Sequence, residues 1–95
     1  MRWFVSRHPG AKQWAKTQLI EVDQFVSHLD ISQVEMGDFV IGTLPVHLAE
    51  QVCRRGARYF HLSLNLPPEL RGQELNANTM QELQAQVSEY VIHRV

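Results

Sequence analysis

Arginine and histidine recur in this chain at one kind of place, just after a short apolar run. Trp3-Phe4-Val5 leads into Ser6-Arg7-His8, and Phe25-Val26 leads into Ser27-His28-Leu29-Asp30. Phe39-Val40-Ile41 leads into Gly42-Thr43-Leu44-Pro45-Val46-His47, and a fourth run ends near His61, Ser63 and Asn65. Four of the five histidines lie on or near these segments, and His93 alone stands apart. An arginine holds a phosphate through paired charge-assisted hydrogen bonds. A histidine titrates near neutral pH and can transfer a proton. The combination suits binding and cleavage of a phosphate ester.

The residues divide into roles on that reading. Arg7 is the phosphate contact. His8 is the first candidate for general base or acid, with His47 second and His28 a further proton carrier. Gly42, Thr43 and Leu44 let backbone approach a ligand closely, and Thr43 adds a hydroxyl. Ser6, Asp30 and Ser63 complete the polar set at the same edge. Simpler readings stand beside these. Arg7 reads equally as a surface charge, and His8 as a turn residue. Asp30-Ile31-Ser32 reads as a turn, and His61, inside an apolar strand, as a satisfied core histidine. Tyr59 and Phe60 read as core. Cys53, the single cysteine, reads as a small buried thiol and can form no intramolecular disulfide.

Positioning these groups takes alternating strands and helices. Arg2–Val5 reads as a buried strand, and Pro9-Gly10 opens a helix whose apolar face is Ala11, Trp14, Ala15 and Leu19. Val22–Ser27 is extended. Asp38–Thr43 is a compact apolar strand covered on both faces. Pro45 suits the first turn of a second helix, which Arg54, Arg55 and Gly56 close. Arg58–Leu64 is a fourth strand. A last helix is expected from about Asn78, begun by an Asn78-Thr79-Met80-Gln81 capping box, with Met80, Leu83, Val87 and Val91 on one face. Trp3 and Trp14 are expected to pack on each other or on the sheet. The order β-α-β-β-α-β-α predicts a small three-layer Rossmann-like α/β domain over residues 1–95, with a mainly parallel sheet of about four strands. The second and third strands lack an obvious connecting helix, so one edge strand is expected to run antiparallel. Ligands of such sheets sit beyond the carboxyl ends of the strands, where the polar segments fall.

Composition narrows the function. A net charge of −1 gives no general attraction to long nucleic-acid polymers. No stretch reaches membrane-spanning length, and the N-terminus lacks the pattern of a signal peptide, so a cytoplasmic chain is expected. No H-x-x-x-H or C-x-x-C spacing favours a metal, and neither a Walker sequence nor G-x-G-x-x-G occurs, so no metal and no cofactor is expected. Arg7-His8-Pro9-Gly10 resembles the Arg-His-Gly signature of histidine phosphatases, but Pro9 interrupts it and the chain is too short for that fold.

The stretches VSRHPGAKQWAK, VSHLD, GDFVIGTLPVHLAEQVCRRGARYFHLSL and LRGQEL resemble the small CRISPR-associated proteins called Csx-sixteen. The resemblance covers nearly the whole chain and is least distinctive from about Glu82 onward. It implies a ring nuclease of type III CRISPR systems, degrading the cyclic tetra-adenylate messenger to switch off the antiviral response. It also implies a CARF-like, Rossmann-type fold and a homodimer, with the two-fold-symmetric ligand across the dimer axis. The chemistry expected is metal-independent attack of a ribose 2′-hydroxyl on its neighbouring phosphorus. The alternative from the same residues is a module that sequesters the messenger uncut.

Overall fold

The computed structural model describes residues 1–95. Its elements are β1 (Arg2–Val5), α1 (Pro9–Thr17), β2 (Gln24–Val26), β3 (Phe39–Gly42), α2 (Val46–Arg54), β4 (Arg58–Ser63), α3 (Ala77–Glu82) and β5 (Gln86–Tyr90). Single 3-10 turns occupy Ile31–Gln33 and Pro68–Leu70. The five strands form one sheet in the order β2-β1-β3-β4-β5, parallel except for β5, which pairs antiparallel with β4. This is the small, mainly parallel α/β domain that the alternation of elements predicts.

Strand alternation builds the two cores. Trp3, Val40 and Tyr59 face one side, where Leu44, Ala49 and Val52 from α2 and its leading turn meet Val34. Phe4, Ile41 and Leu62 face the other, against Ala11, Trp14 and Ala15 of α1 and Met80 of α3. Full burial of each large apolar side chain stabilises the fold by about 1.5–3 kcal/mol. Trp3 and Trp14 therefore pack on opposite faces of the sheet and not on each other. The Trp3 indole N–H donates to buried Asp38 at 3.1 Å, so both elements keep a polar partner inside the layer.

Several local expectations are corrected. The last helix spans only Ala77–Glu82, because Gln84 takes a left-handed φ of 60° and turns the chain out of it. Val87, assigned to a helix face by its spacing from Met80 and Leu83, instead belongs to β5 and packs on the α1 side of the sheet. Two-residue alternation and pairing to the open edge of β4 win over helical spacing there. The sheet thus has five strands and not four. The cap of that helix is Asn76, whose side chain accepts from the Thr79 N–H at 2.8 Å, two residues before the expected box. The antiparallel edge strand is β5. β2 runs parallel to β1, and the chain from β2 to β3 passes through the 3-10 turn at Ile31–Gln33.

The register levels the strand ends. Val5 pairs with Val26 on one side and Gly42 on the other, and Gly42 pairs with His61. The chain leaves β1 toward β2 and later returns on the opposite side of β1 as β3. The crevice between the carboxyl ends of β1 and β3 is therefore the switch point of the sheet, where open α/β folds bind ligands.

Candidate functional site

A cavity of about 680 Å³ opens over that switch point. One wall is polar and comes from the strand ends: Ser6, Arg7 and His8 after β1, Ser27 and His28 after β2, and Thr43 after β3. The other wall is apolar. Leu44 and Leu48 line it from the α2 side, Leu62 and Leu64 from β4 and its end, and Leu66, Leu70 and Leu75 from the segment joining β4 to α3. None of the lining residues is acidic, so one arginine and two histidines face the space without a counter-charge.

Hydrogen bonds inside the site fix what each group can offer. The Ser6 hydroxyl oxygen accepts from the His8 N–H at 3.1 Å, which leaves its own proton free to donate into the cavity. The Thr43 hydroxyl donates to the Leu62 carbonyl at 2.6 Å. Its proton is committed, so toward a ligand Thr43 is an acceptor and suits a ribose hydroxyl better than a phosphate. The Leu44 N–H donates to the Tyr59 hydroxyl at 3.1 Å, so it is not free to hold an anion. Gly42 is set by steric need. A Cβ there would lie 2.8 Å from the Val5 carbonyl oxygen, too close for the β1–β3 pairing that forms the crevice.

The structure brings together Ser6, Arg7, His8, His28, Thr43 and Leu44 at this cavity. It places the other sequence candidates elsewhere. His47 is the second residue of α2 and lines a shallow groove with Glu50, Arg54, His93 and Arg94, so it shares a surface with the histidine that sequence position sets apart. Asp30 caps the 3-10 turn, accepting from the Ser32 N–H at 3.0 Å and the Ser32 hydroxyl at 2.6 Å. Those bonds hold its carboxyl below its ordinary value. Ser63 lines a separate recess with Asn65 and Gln84.

Sequence reasoning misses two contributions. Tyr59 is 1% exposed and reads as core, yet its hydroxyl bonds the turn that forms the cavity floor. It also meets Nδ1 of half-buried His61, so that histidine is satisfied as expected, by a partner only two residues away on the same strand face. The segment from Leu64 to Leu75 forms a whole wall. Its leucines, spaced between Pro67, Pro68 and Gly72, carry no helical or strand period, so only their number hints at a buried surface. No three His, Cys, Asp or Glu side chains converge to hold a metal ion, and no helix is long and apolar enough to cross a membrane.

A family model described as "Putative CRISPR-associated protein (Cas_VVA1548)" matches residues 3–93. No curated protein and no solved structure matches the chain.

Proposed function

We propose a ring-nuclease function from one premise: this chain belongs to the Cas_VVA1548 family of CRISPR-associated proteins. On this reading the protein binds and opens a cyclic oligoadenylate, cyclic tetra-adenylate in the first instance. The observation that carries the reading is the cavity at the β1–β3 switch point, which presents Arg7, His8 and His28 with no acidic side chain among them. A wall whose one cation, Arg7, has no acidic neighbour in the cavity, set beside an apolar wall, fits a molecule that is anionic along one side and carries flat, weakly polar rings on the other. A nucleotide ring is such a molecule.

The chemistry follows from what each group can still donate. Arg7 and the free Ser6 proton stabilise the charge that builds on the phosphate oxygens. Thr43, an acceptor only, orients a ribose hydroxyl. Much of the rate comes from holding the 2′-hydroxyl in line with its neighbouring phosphorus. His8 takes the 2′-hydroxyl proton, and the departing 5′-oxygen is protonated by His28, which replaces His47 as the second proton carrier because it lines the same space. The products are linear oligoadenylates ending in a 2′,3′-cyclic phosphate. A two-fold-symmetric ring is best matched by two copies of the chain, so the working unit is a homodimer.

Purified protein incubated with cyclic tetra-adenylate in EDTA, with products resolved by chromatography, tests the proposal. Linear products are expected, and intact ring after long incubation at excess protein overturns the nuclease reading. One feature favours a second reading. His8 and His28 are exposed, and neither imidazole is held by another side chain, as a site that only sequesters the messenger would allow. Tight binding without product selects it.

A further inference from the structure

The apolar wall has one polar side chain on it, and its orientation is fixed. Gln73 sits on the segment between β4 and α3, flanked by Gly72 and facing the cavity with Leu66, Leu70 and Leu75. Its side-chain nitrogen Nε2 donates to the Glu69 carbonyl oxygen at 3.1 Å. A backbone carbonyl accepts and cannot donate, so the amide has one possible orientation. The Gln73 carbonyl oxygen Oε1 takes no hydrogen bond from the protein and stands with the second Nε2 hydrogen as a free acceptor–donor pair.

The wall that carries Gln73 is held in place from behind. The Leu75 carbonyl oxygen and the Asn76 Cα lie so near Gly10 that a Cβ there would stand 1.8 Å and 2.8 Å from them. The segment thus rests on the first turn of α1, directly after Arg7 and His8. Asn76 then caps α3, and Gln81 of α3 accepts from the Trp14 indole N–H at 3.3 Å. The end of the segment is therefore held against the start of α1, beside the polar wall.

We propose that the Leu64–Leu75 segment is the base-recognition wall of the cavity, and that Gln73 selects bases bearing an exocyclic amino group. The inference rests on the nucleotide reading above and names the part of the ligand this wall takes. Leucine side chains cover the flat face of a base. Gln73 Oε1 accepts from an amino group such as adenine N6, and its free N–H donates to the adjoining ring nitrogen, the pairing that glutamine makes with adenine. A base with a carbonyl at that position sets oxygen against oxygen and leaves the site acceptor unpaired.

Calorimetric titration of the protein with cyclic tetra-adenylate and with cyclic tetra-inosinate tests this, because the second ring differs in carrying a carbonyl for each 6-amino group. The wild-type protein is expected to bind the adenylate ring about tenfold more tightly, the value of one well-made hydrogen bond at the upper end of its range. Gln73→Met keeps the side-chain length, removes both polar ends and should erase that preference with an unchanged Tm. Leu66→Ala with Leu70→Ala should weaken both rings alike and leave the preference. Equal wild-type binding of the two rings overturns the role of Gln73 and leaves the ring reading intact, as does a Gln73→Met protein that keeps the preference. Unchanged affinities in the leucine variant overturn the wall. Binding of neither ring by the wild type overturns this inference and the nucleotide reading together.

Discussion

The hydroxyl oxygen of Tyr59 lies 2.6 Å from Nδ1 of His61. The same oxygen accepts from the Leu44 N–H and donates to the Gly42 carbonyl, each at 3.1 Å. A phenol has one proton, so when it goes to Gly42 the His61 Nδ1 must be the donor. When it goes to Nδ1 instead, the imidazole carries its proton on Nε2, so the phenol proton and the His61 tautomer are set together. Burial pushes the Tyr59 phenol above its ordinary value, which keeps it protonated across the neutral range. Tyr59→Phe should destabilise the fold by about 1–3 kcal/mol, because it strands buried backbone groups. It should also weaken ligand binding, since the floor of the cavity loses its tie to β4. Urea denaturation and titration with cyclic tetra-adenylate, run on the same preparation, measure the two effects separately. Unchanged values in both would show that the hydroxyl holds nothing.

The placement of the histidines predicts a split among alanine variants. Arg7→Ala and His8→Ala should each lower single-turnover cleavage of cyclic tetra-adenylate by about tenfold or more. His47→Ala should leave it unchanged, because His47 faces the groove beside His93 and not the cavity. A large loss in His47→Ala alone would move the chemistry to that groove.

Gly10 and Leu75 set a steric limit. A methyl group at Gly10 would meet backbone and not a flexible side chain, so it cannot be absorbed by a rotamer change. Gly10→Ala should cost at least about 2 kcal/mol of stability and free the segment that rests on it. Limited proteolysis is the sensitive measurement. Cleavage between Leu64 and Leu75 should appear in the variant before the sheet itself is cut.

Much of this architecture can be read from the residues. Trp3-Phe4-Val5 and Phe39-Val40-Ile41 are short, apolar and bounded, and Pro9 and Pro45 mark helix starts by their missing N–H. Their order alone places the first and third strands side by side. The end of the chain is harder, because Met80, Leu83, Val87 and Val91 fit a helix by spacing while β4 supplies an open edge that spacing does not record. The cavity lining is legible where it follows strand ends, as at Arg7, His8, His28 and Thr43. It is not legible at Tyr59, whose ring is core and whose hydroxyl is not, nor along Leu64–Leu75, where no period exists. His47 and Asp30 show the opposite error. Both follow strand ends in sequence, but the first turn of α2 aims His47 at the groove beside His93, and Ser32 occupies Asp30.

Asp38 predicts the acid limb of the stability curve. Burial alone would raise its carboxyl. The Glu35 N–H, the N-terminal ammonium and the Trp3 indole N–H outweigh that burial and hold it below its ordinary value. A carboxyl lowered by folding binds fewer protons folded than unfolded. Its stabilisation is present above the unfolded value, about 3.9, and is lost as pH falls through the lower folded value. Asp30, Glu50 and Glu89 are lowered as well, by Ser32, Arg54 and Arg58 respectively, and act in the same direction. Asp38→Asn should therefore lower stability near pH 7 and flatten its decline below pH 4 in thermal unfolding. An unchanged acid limb would assign the decline to the surface carboxylates.

The two walls of the cavity come from separate stretches of chain. The polar wall sits on the turns directly after β1, β2 and β3, and the register of those strands levels it. Four of the seven leucines of the other wall, Leu64, Leu66, Leu70 and Leu75, lie on the connection between β4 and α3, outside the strand ladders. Substitutions accumulating in that connection can reshape the apolar side of the cavity while the side bearing Arg7, His8 and His28 stays as it is. The two halves of the cavity lining are thus free to evolve on different clocks within one small fold.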